Sequence, residues 1–382
     1  MTTNLLIVHP FVQAYRLSMY SRLAERLESE DISLTVASNP PPPQLAARGD
    51  KVTARWSKEL PTRWIPLRGR DVAIRRLSAL PPTLTPDLVI VEQAIKNLET
   101  YPLLLRQRLG GPSVSMWGHG RSYSTPQGPR AAALKQFLTR RSQWFFAYTQ
   151  GGADHVIANG FPATRVSVLN NTIDTDSLRH DLEAVSDHDV DVFSRRYGLT
   201  PGRTALFLGG VDKAKGIDFL LESARSAAQL LPGFVLLVAG AGAQLADVQA
   251  AELSGAPVRA LGRLDGAERA LALRSADVLA IPEWIGLVAV DSLVAGRPIV
   301  STWHPTHSPE HEYLEPGTTA LFLQHDPPSY AQGLVDLLAD PRQVQAMQAR
   351  CNEESAKYGL DQMVDSFVEG VLAWDDVRRA GL

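Results

Sequence analysis

One segment of this 382-residue chain, residues 280–302, constrains its fold more than any other. The pattern predicts a short apolar strand, Val278–Ile281, that ends at Pro282 and is followed by a helix of small residues from about Gly286. Residues 296–298, Gly-Arg-Pro, then turn the chain into another apolar strand. Strand, loop, helix and strand make a βαβ unit, and the open amides at the helix N-terminus form an anion site.

Acidic side chains flank these amides, with Glu283 in the loop and Asp291 eight residues later. Donors for a phosphate beside acceptors for hydroxyls suit a nucleotide sugar. We therefore expect the amides of Gly286, Leu287 and Val288 to bind a diphosphate. Glu283 is expected to contact the donor sugar, although it could instead satisfy backbone amides at a helix N-terminus. Asp291 is expected to bind a ribose, because an unpaired carboxylate in an apolar helix is costly.

The rest of the chain alternates strands with helices, which is typical of doubly wound parallel sheets. A chain of this length exceeds one core, so we expect two domains. The predicted strands are Leu5–His9, Ser33–Ala37, Leu88–Glu92, Ser113–Trp117, Phe145–Tyr148, Val166–Leu169, Ala205–Leu208, Val235–Ala239, Val258–Leu261, Val278–Ile281 and Pro298–Ser301. Helical periodicity is clearest at Leu17–Leu27, Leu134–Arg141, Phe219–Leu230 and Ala267–Ser275.

The predicted domains follow from this pattern. An acceptor-side Rossmann-like domain covers residues 1–175, a connector rich in Asp and Ser covers 176–202, and a Rossmann-like domain that binds the nucleotide sugar covers 203–359. A C-terminal helix at about 360–382 is expected to pack back on the first domain.

Composition excludes several classes of protein. Hydrophobic residues make up 45% and charged residues 21%, as in ordinary globular proteins, and no apolar run reaches the eighteen residues of a membrane span. The first residues lack a basic leader, so no signal peptide is expected. Cys351 is the one cysteine, which fits a reducing cytoplasm.

Charge is uneven along the chain. Residues 51–150 hold 16 Lys and Arg against 5 Asp and Glu, whereas residues 191–382 hold 16 against 24. A basic N-terminal half attracts anionic partners, although a solvated surface explains the charge equally well. Nucleic acid is not expected, because no binding motif accompanies the charge.

Residues 129–146 combine cations with apolar side chains and could lie on an anionic membrane surface. An ordinary surface helix with a core-facing stripe is the alternative. The cations are Arg130, Lys135, Arg140 and Arg141, and the apolar residues are Leu134, Phe137, Leu138 and Trp144.

Four motifs resemble those of the family 4 glycosyltransferases. They are Glu283 and Asp291 with seven residues between them, the loop Phe207-Leu-Gly-Gly-Val-Asp-Lys-Ala-Lys-Gly216, the loop Trp117-Gly118-His119-Gly120, and the Pro-Glu motif in His307-Ser-Pro-Glu-His-Glu-Tyr-Leu314. Tyr15-Arg16 before an apolar helix is similar to the start of many bacterial members. The resemblance covers most of the chain and implies the GT-B architecture, an α/β fold of two Rossmann-like, doubly wound domains facing each other across a cleft.

The resemblance also implies roles for single residues. His119 would face the donor sugar and act in catalysis with Lys215 and Glu283. Gly209, Gly210, Lys213 and Lys215 would bind the diphosphate, and Arg16 and Glu310 would bind the acceptor. The chain departs from the family where Gly210 replaces an arginine, where Asp291 replaces a glutamate, and where Pro282 adjoins Glu283 with two residues fewer than usual.

Sugar transfer from such a donor builds negative charge on the leaving diphosphate, and fixed cations stabilise that charge. Lys215, Lys213 and the helix amides could do so without a metal, and the Asp-x-Asp sequences fall in the connector. We therefore expect no metal ion and no cofactor beyond the nucleotide-sugar co-substrate.

The resulting hypothesis is a retaining transferase that moves a hexose-type sugar to an acceptor hydroxyl in cell-surface glycan or glycolipid synthesis. The acceptor would be a glycan, a lipid-linked molecule or a small molecule, and the enzyme would be cytoplasmic, peripheral on the inner face of the plasma membrane. The alternatives are glycosylation of a soluble small molecule, a nucleotide-sugar epimerase of the same fold, and a degenerate subunit without activity.

Overall fold

The computed structural model of the protein describes residues 2–10, 12–40, 54–67, 70–123 and 128–381. Two compact units make up the chain. The first comprises Met1–Asp174 and Leu360–Leu382, and the second comprises Thr175–Gly359.

The first unit is built on a parallel seven-stranded sheet of order β3-β2-β1-β6-β7-β8-β9. Its strands are β1 (Thr3–His9), β2 (Ile32–Ser38), β3 (Ser57–Glu59), β6 (Leu88–Glu92), β7 (Ser113–Gly118), β8 (Phe145–Ala147) and β9 (Val166–Val168). An antiparallel pair, β4 (Thr62–Leu67) and β5 (Arg70–Arg75), lies outside this sheet. The helices are α1 (Leu17–Glu28), α2 (Thr100–Arg108), α3 (Pro129–Thr139), α4 (Gln150–Ala158) and, from the C-terminus, α13 (Leu360–Arg379).

The C-terminal helix α13 forms part of the core of the first unit. The ring of Phe367 stacks on that of Phe146 with centroids 4.6 Å apart. Gly370 makes this close approach feasible, because an added Cβ would lie 2.4 Å from Ser167 Oγ and 2.6 Å from Phe146 Cε1. The helix is therefore held by side chains of β8 and β9.

The second unit contains a parallel six-stranded sheet of order β12-β11-β10-β13-β14-β15. Its strands are β10 (Thr204–Leu208), β11 (Val235–Ala239), β12 (Val258–Gly262), β13 (Val278–Ala280), β14 (Ile299–Thr302) and β15 (Ala320–Leu323). The helices are α5 (Thr175–Ala184), α6 (Asp187–Tyr197), α7 (Ile217–Leu230), α8 (Leu245–Leu253), α9 (Gly266–Ser275), α10 (Val288–Ala295), α11 (Pro327–Leu338) and α12 (Pro341–Glu354).

Numbered within its own sheet, the strand order of the second unit is 3-2-1-4-5-6, the order of the Rossmann fold. The central strands are apolar runs buried on both faces, as β11 is throughout its length. The order reverses between β10 and β13, and ligands of such sheets bind at the carboxyl ends of the strands beside this reversal.

The residues predicted as a connector lie in the second unit. They form α5 and α6, which both pack against α9. Ser186 and Asp189 make a capping box at the start of α6, and Gly198 ends the helix in the left-handed conformation, with φ of 68°. These residues, predicted as a connector, therefore form two helices that are part of the second compact unit.

The segment predicted to contact membranes is only partly exposed. Helix α3 begins at Pro129, five residues before the predicted Leu134, and leaves Leu134 and Phe137 at the surface. Leu138 and Trp144 are buried in the core, as the alternative of a surface helix with a core-facing stripe predicts. Among the described residues, none of the helices has both the length and the apolarity needed to cross a membrane.

Candidate functional site

Four loops of the second unit bring together most of the predicted site residues. The loops follow β10, β13, β14 and β15, which are neighbours in the sheet. They carry Lys215, Glu283, Glu310 and three histidines, His304, His307 and His325. Because all four strands are parallel, these loops emerge at the same edge of the sheet, next to the reversal between β10 and β13.

The loop after β10 packs backbone to backbone against the loop after β11. An added Cβ at Gly240 would lie 1.7 Å from the carbonyl oxygen of Gly209, and one at Gly242 would lie 2.4 Å from that of Val211. Asp212 Oδ1 accepts a hydrogen bond from the amide of Ala243 at 3.0 Å. Sequence reasoning missed the second loop, although its Gly-Ala-Gly sequence directly after a buried strand was a usable signal.

Lys215, in the loop after β10, is directed toward the loop after β13. Its Nζ donates a hydrogen bond to the carbonyl oxygen of Trp284 at 2.8 Å, which leaves two further donors. Burial lowers the pKa of Lys215 to about 8, against the opposing effect of Asp212 and Glu310. Lys213, the other predicted phosphate ligand, is exposed to solvent.

The carboxyl group of Glu283 lies at the N-terminus of α7. Gly216 caps this helix with φ of +69°, and an added Cβ there would lie 2.8 Å from Glu283 Cδ. A glycine is therefore required both by the backbone and by the carboxylate, which the positive end of the helix dipole favours. The next residue, Trp284, has φ of 48°, an uncommon conformation for an aromatic residue and a sign of local strain.

His307, which sequence reasoning did not select, fixes the loop after β13. Its Nδ1 accepts a hydrogen bond from the amide of Ile285 at 3.1 Å, so the proton sits on Nε2, which donates to the carbonyl oxygen of Thr302 at 2.9 Å. Burial lowers the pKa of His307 to about 4, which keeps the ring neutral. No local motif marks this role, because it depends on two loops meeting.

Glu310, predicted as an acceptor ligand, is buried beside Lys215. It is 3% exposed and accepts a hydrogen bond from the hydroxyl of Ser308 at 2.6 Å. Its charge acts on Lys215, as the pKa of that lysine indicates. The structure therefore places Glu310 with the predicted diphosphate ligands.

Asp291 lies inside α10 with its side chain toward α9. Oδ1 is 3.3 Å from Arg269 Nη1, yet it has no hydrogen-bond partner among the described residues. Burial raises the pKa of this carboxyl group, and Arg269 opposes the shift. At the start of the same helix no described side chain caps the backbone, and Gly286 faces open space, since an added Cβ would meet no heavy atom within 4 Å.

His119 and Arg16 belong to the first unit. His119 is exposed after β7, and its ring centroid lies 4.4 Å from that of Tyr148. The glycines around it permit a close approach, because an added Cβ at Gly120 would lie 2.3 Å from the carbonyl oxygen of Gly152. Arg16 is buried, donates to Asn171 Oδ1 at 2.9 Å and lies over the ring of Trp117 at 4.9 Å.

Comparison with known families gives two matches. Residues 202–340 match the model described as "Glycosyl transferases group 1", and residues 18–172 match the model described as "Glycosyl transferase 4-like domain". Each model falls within one of the two units.

Two curated relatives share parts of the chain. A phosphatidyl-myo-inositol mannosyltransferase of Mycobacterium tuberculosis is 34% identical over 165 residues, 39% of this chain and 43% of that enzyme. D-inositol 3-phosphate glycosyltransferase 1 of Catenulispora acidiphila is 30% identical over 267 residues, 64% of this chain and 60% of that enzyme. The chain thus matches less than two thirds of the length of either relative.

Solved structures support the fold. Anabaena Alr3699/HepE in complex with UDP superimposes with a TM-score of 0.67 at 13% identity, covering 97% of this chain and 100% of that one. The sucrose-phosphate synthase of Thermosynechococcus elongatus gives the same TM-score at 13% identity, covering 99% and 100%. With two Rossmann-like units, both family models and these relatives, the chain belongs to the family 4 glycosyltransferases of the GT-B fold.

Proposed function

We propose that this protein transfers a hexose-type sugar from a nucleoside-diphosphate sugar to an acceptor hydroxyl, with retention of anomeric configuration. The observation that carries the proposal is the grouping of a half-buried Lys215, the carboxylate of Glu283 and the open N-terminus of α10 at one reversal of strand order. The crystal structures of HepE contain UDP and UDP-glucose, which supports a donor of this kind.

The proposed chemistry is stabilisation of the leaving diphosphate. Lys215 has two donors left for phosphate oxygens, and a bound dianion would hold it protonated. The amides of residues 286–288 add the dipole of α10, while the Asp291 carboxylate, which is ion-paired with Arg269 but has no hydrogen bond to Oδ1 among the described residues, would accept from a ribose hydroxyl. Glu283 accepts from hydroxyls of the sugar. This arrangement needs no divalent metal for the transfer, and no enzymic nucleophile is assigned.

We further propose that the acceptor is a glycan or glycolipid at the inner face of the plasma membrane. The side chain of Gln107 in α2 donates to the carbonyl oxygen of Arg141, which joins α2 to the end of α3. Around this junction Leu105 is 61%, Leu109 79% and Phe137 44% exposed. The nearby cations are Arg106, Arg108, Arg140 and Arg141. Apolar side chains among arginines suit an anionic lipid surface.

A second candidate acceptor is a soluble phosphorylated molecule. It is favoured by the D-inositol 3-phosphate glycosyltransferase, which is named for a soluble acceptor and matches a larger part of this chain than the mannosyltransferase does.

A panel of radiolabelled nucleotide sugars tests the reaction. The purified chain is incubated with each donor in the presence of anionic lipid vesicles or of inositol phosphates. Labelled lipid or labelled inositol phosphate supports the corresponding acceptor, and slow release of free sugar supports the donor site alone. Exchange at C2 of the sugar would instead indicate an epimerase, and no reaction with any donor would indicate an inactive subunit.

A further inference from the structure

We propose that Glu283, His304 and His325 bind a transition-metal ion such as Zn²⁺ at the edge of the proposed donor site. One ligand atom from each of these residues lies within 4.8 Å of those from the other two. The residues follow β13, β14 and β15, three adjacent strands, so the sheet itself sets their spacing.

The hydrogen bonds around His325 leave a lone pair facing the carboxylate. The hydroxyl of Thr302 donates its one proton to the carbonyl oxygen of Pro282 at 2.7 Å, so it can only accept from His325 Nδ1 at 3.2 Å. The neutral ring therefore carries its proton on Nδ1. Its Nε2 then points a lone pair at Glu283 Oε1, 3.5 Å away. Two lone pairs at this distance are relieved by a proton or by a metal ion between them, and the third ligand, His304, favours the metal ion.

The three side chains are already oriented. The ring of His325 stacks on that of Phe219 with centroids 4.6 Å apart and an angle of 6°. His304 Nδ1 is hydrogen-bonded to Thr306 Oγ1 at 2.7 Å, and in the tautomer in which Nδ1 donates to this hydroxyl, Nε2 offers a lone pair to an ion. Glu283 is confined above Gly216. Such hydrogen bonds to the second nitrogen of a histidine are typical of metal ligands, because they set the tautomer and the ring orientation.

The chemistry of the donor set selects the ion. Two imidazoles with one carboxylate suit Zn²⁺ and its neighbours in the first transition row, whereas Mg²⁺ and Ca²⁺ prefer oxygen ligands. Around a tetrahedral zinc ion with bonds of about 2.0–2.1 Å, ligand atoms lie about 3.4 Å apart, close to the 3.5 Å between His325 and Glu283. Since the three ligand atoms lie within 4.8 Å of one another, a closer approach of His304 would complete a site with three protein ligands and one open position. His325 is partly exposed, so the ion can enter from solvent.

One consequence rests on the proposed function. A bound metal ion withdraws Glu283 from the donor sugar while Lys215 and Asp291 remain free for the nucleoside diphosphate. Zinc should therefore inhibit sugar transfer, although the transfer itself needs no metal.

Metal binding is tested on the whole chain after treatment with a chelator. Zn²⁺ is titrated in competition with a chromophoric chelator, and Co²⁺ is titrated for the visible absorption of a tetrahedral centre. We expect one site in the parent protein and at least a tenfold loss of affinity in His304→Ala and in His325→Ala. His180→Ala and His188→Ala, which replace exposed histidines of the same unit, serve as matched controls and should bind like the parent.

The proposal is wrong if the parent has no metal site. It is also wrong if the double variant His304→Ala/His325→Ala, with an unchanged circular dichroism spectrum, binds metal as tightly as the parent. Binding of UDP and GDP to the metal-free protein is measured separately. Zinc binding without nucleotide binding would leave the metal site standing and reject the donor site, and the reverse result would reject the metal site alone. If zinc inhibits transfer equally in the parent and in His304→Ala, the inhibitory role is wrong.

Discussion

Lys215 is the residue on which the proposed chemistry depends most. Its Nζ is fixed by the Trp284 carbonyl, and Asp212 and Glu310 offset part of the cost of its burial. A buried cation without a structural salt bridge is costly, so an anionic ligand is the simplest reason for its position.

Lys215→Ala should lower turnover about 30- to 1,000-fold, which corresponds to about 2–4 kcal/mol for a lost contact to transition-state charge. The rate should fall more than donor affinity, because charge on the diphosphate grows during the reaction. Steady-state kinetics measure both, and Lys213→Ala shows whether this exposed lysine replaces the missing arginine. Unchanged kinetics in the Lys215 variant would contradict the assigned donor site.

The pH dependence of the reaction should also report Lys215. Its protonated form is the one that binds phosphate, and burial lowers its pKa to about 8. The value of kcat/KM should therefore decrease as the pH rises through about 8 in the free enzyme. Lys215→Arg keeps its charge at these pH values and should remove this decrease. A parent profile that stays level above pH 9, or an unchanged decrease in the arginine variant, would argue against this role.

Because the pKa of His307 is lowered in the folded chain, we expect the protein to lose stability in acid. Its pKa is about 4 in the folded chain, below the value of about 6.5 for an unfolded histidine, so the unfolded state binds more protons below pH 6.5. The contribution is fully present above pH 6.5 and is lost as the pH falls toward 4. Between pH 7.5 and 5.5 the free energy of unfolding should drop by about 1.4 kcal/mol through this residue.

Urea unfolding of the parent and of His307→Gln at both pH values measures this contribution. Glutamine can accept from Ile285 and donate to Thr302, yet it does not titrate. The variant should show a smaller pH dependence than the parent, and equal pH dependences would contradict the lowered pKa of His307.

Among the helices and strands, the start of α7 matters most for the proposed site, because Gly216 packs there against the carboxyl group of Glu283. Gly216→Ala places a methyl group within 2.8 Å of the Glu283 carboxyl group at a residue with φ of +69°. Gly255→Ala is a matched control, because its φ is +85° and nothing lies within 4 Å. Both variants should lose about 1–2 kcal/mol of stability from the left-handed backbone, measured by thermal unfolding. Only Gly216→Ala should also lose transfer activity. Full activity in that variant would show that Glu283 has no role in the site.

The sequence predicts the bounds of a strand best where its apolar run is long and uninterrupted. The bounds of β11 were predicted to the residue, because the strand lies in an apolar run, residues 234–239, that Gly233 and Gly240 enclose. The strands β3, β4, β5 and β15 were missed. Pro66 and several arginines interrupt the pattern of β4 and β5, and β3, Ser-Lys-Glu, contains no apolar residue.

The candidate site contains residues that the local sequence predicts and residues whose roles only the fold reveals. Lys215 follows β10, and Glu283 and Asp291 lie between β13 and β14, so each was predicted from the local sequence of its own βαβ unit. The roles of His307, His304 and His325 depend on loops from different strands meeting at the sheet edge. No local pattern reports such meetings, and the same holds for the burial of Glu310 beside Lys215.

At the scale of the whole molecule, the exposed surface around α2 and α3 predicts membrane binding. The chain should sediment with anionic vesicles at low salt and not with neutral ones, and added salt should release it. Arg140→Glu/Arg141→Glu should weaken the binding, since each cation contributes about 1 kcal/mol near such a surface. Arg195→Glu/Arg196→Glu, on α6, makes the same charge change elsewhere and should bind like the parent. Failure to bind anionic vesicles even at low salt would leave the soluble acceptor.

We infer that the second unit binds the nucleoside diphosphate of a sugar donor through Lys215 and Asp291. Calorimetric titration of UDP and GDP into the parent, Lys215→Ala and Asp291→Asn tests it most directly. We expect either UDP or GDP to bind the parent at a single site. Each variant should bind that nucleotide about tenfold or more weakly, because it lacks roughly one charged hydrogen bond. Binding of neither nucleotide to the parent, or equal affinities in all three proteins, would show that Lys215 and Asp291 do not hold a nucleoside diphosphate.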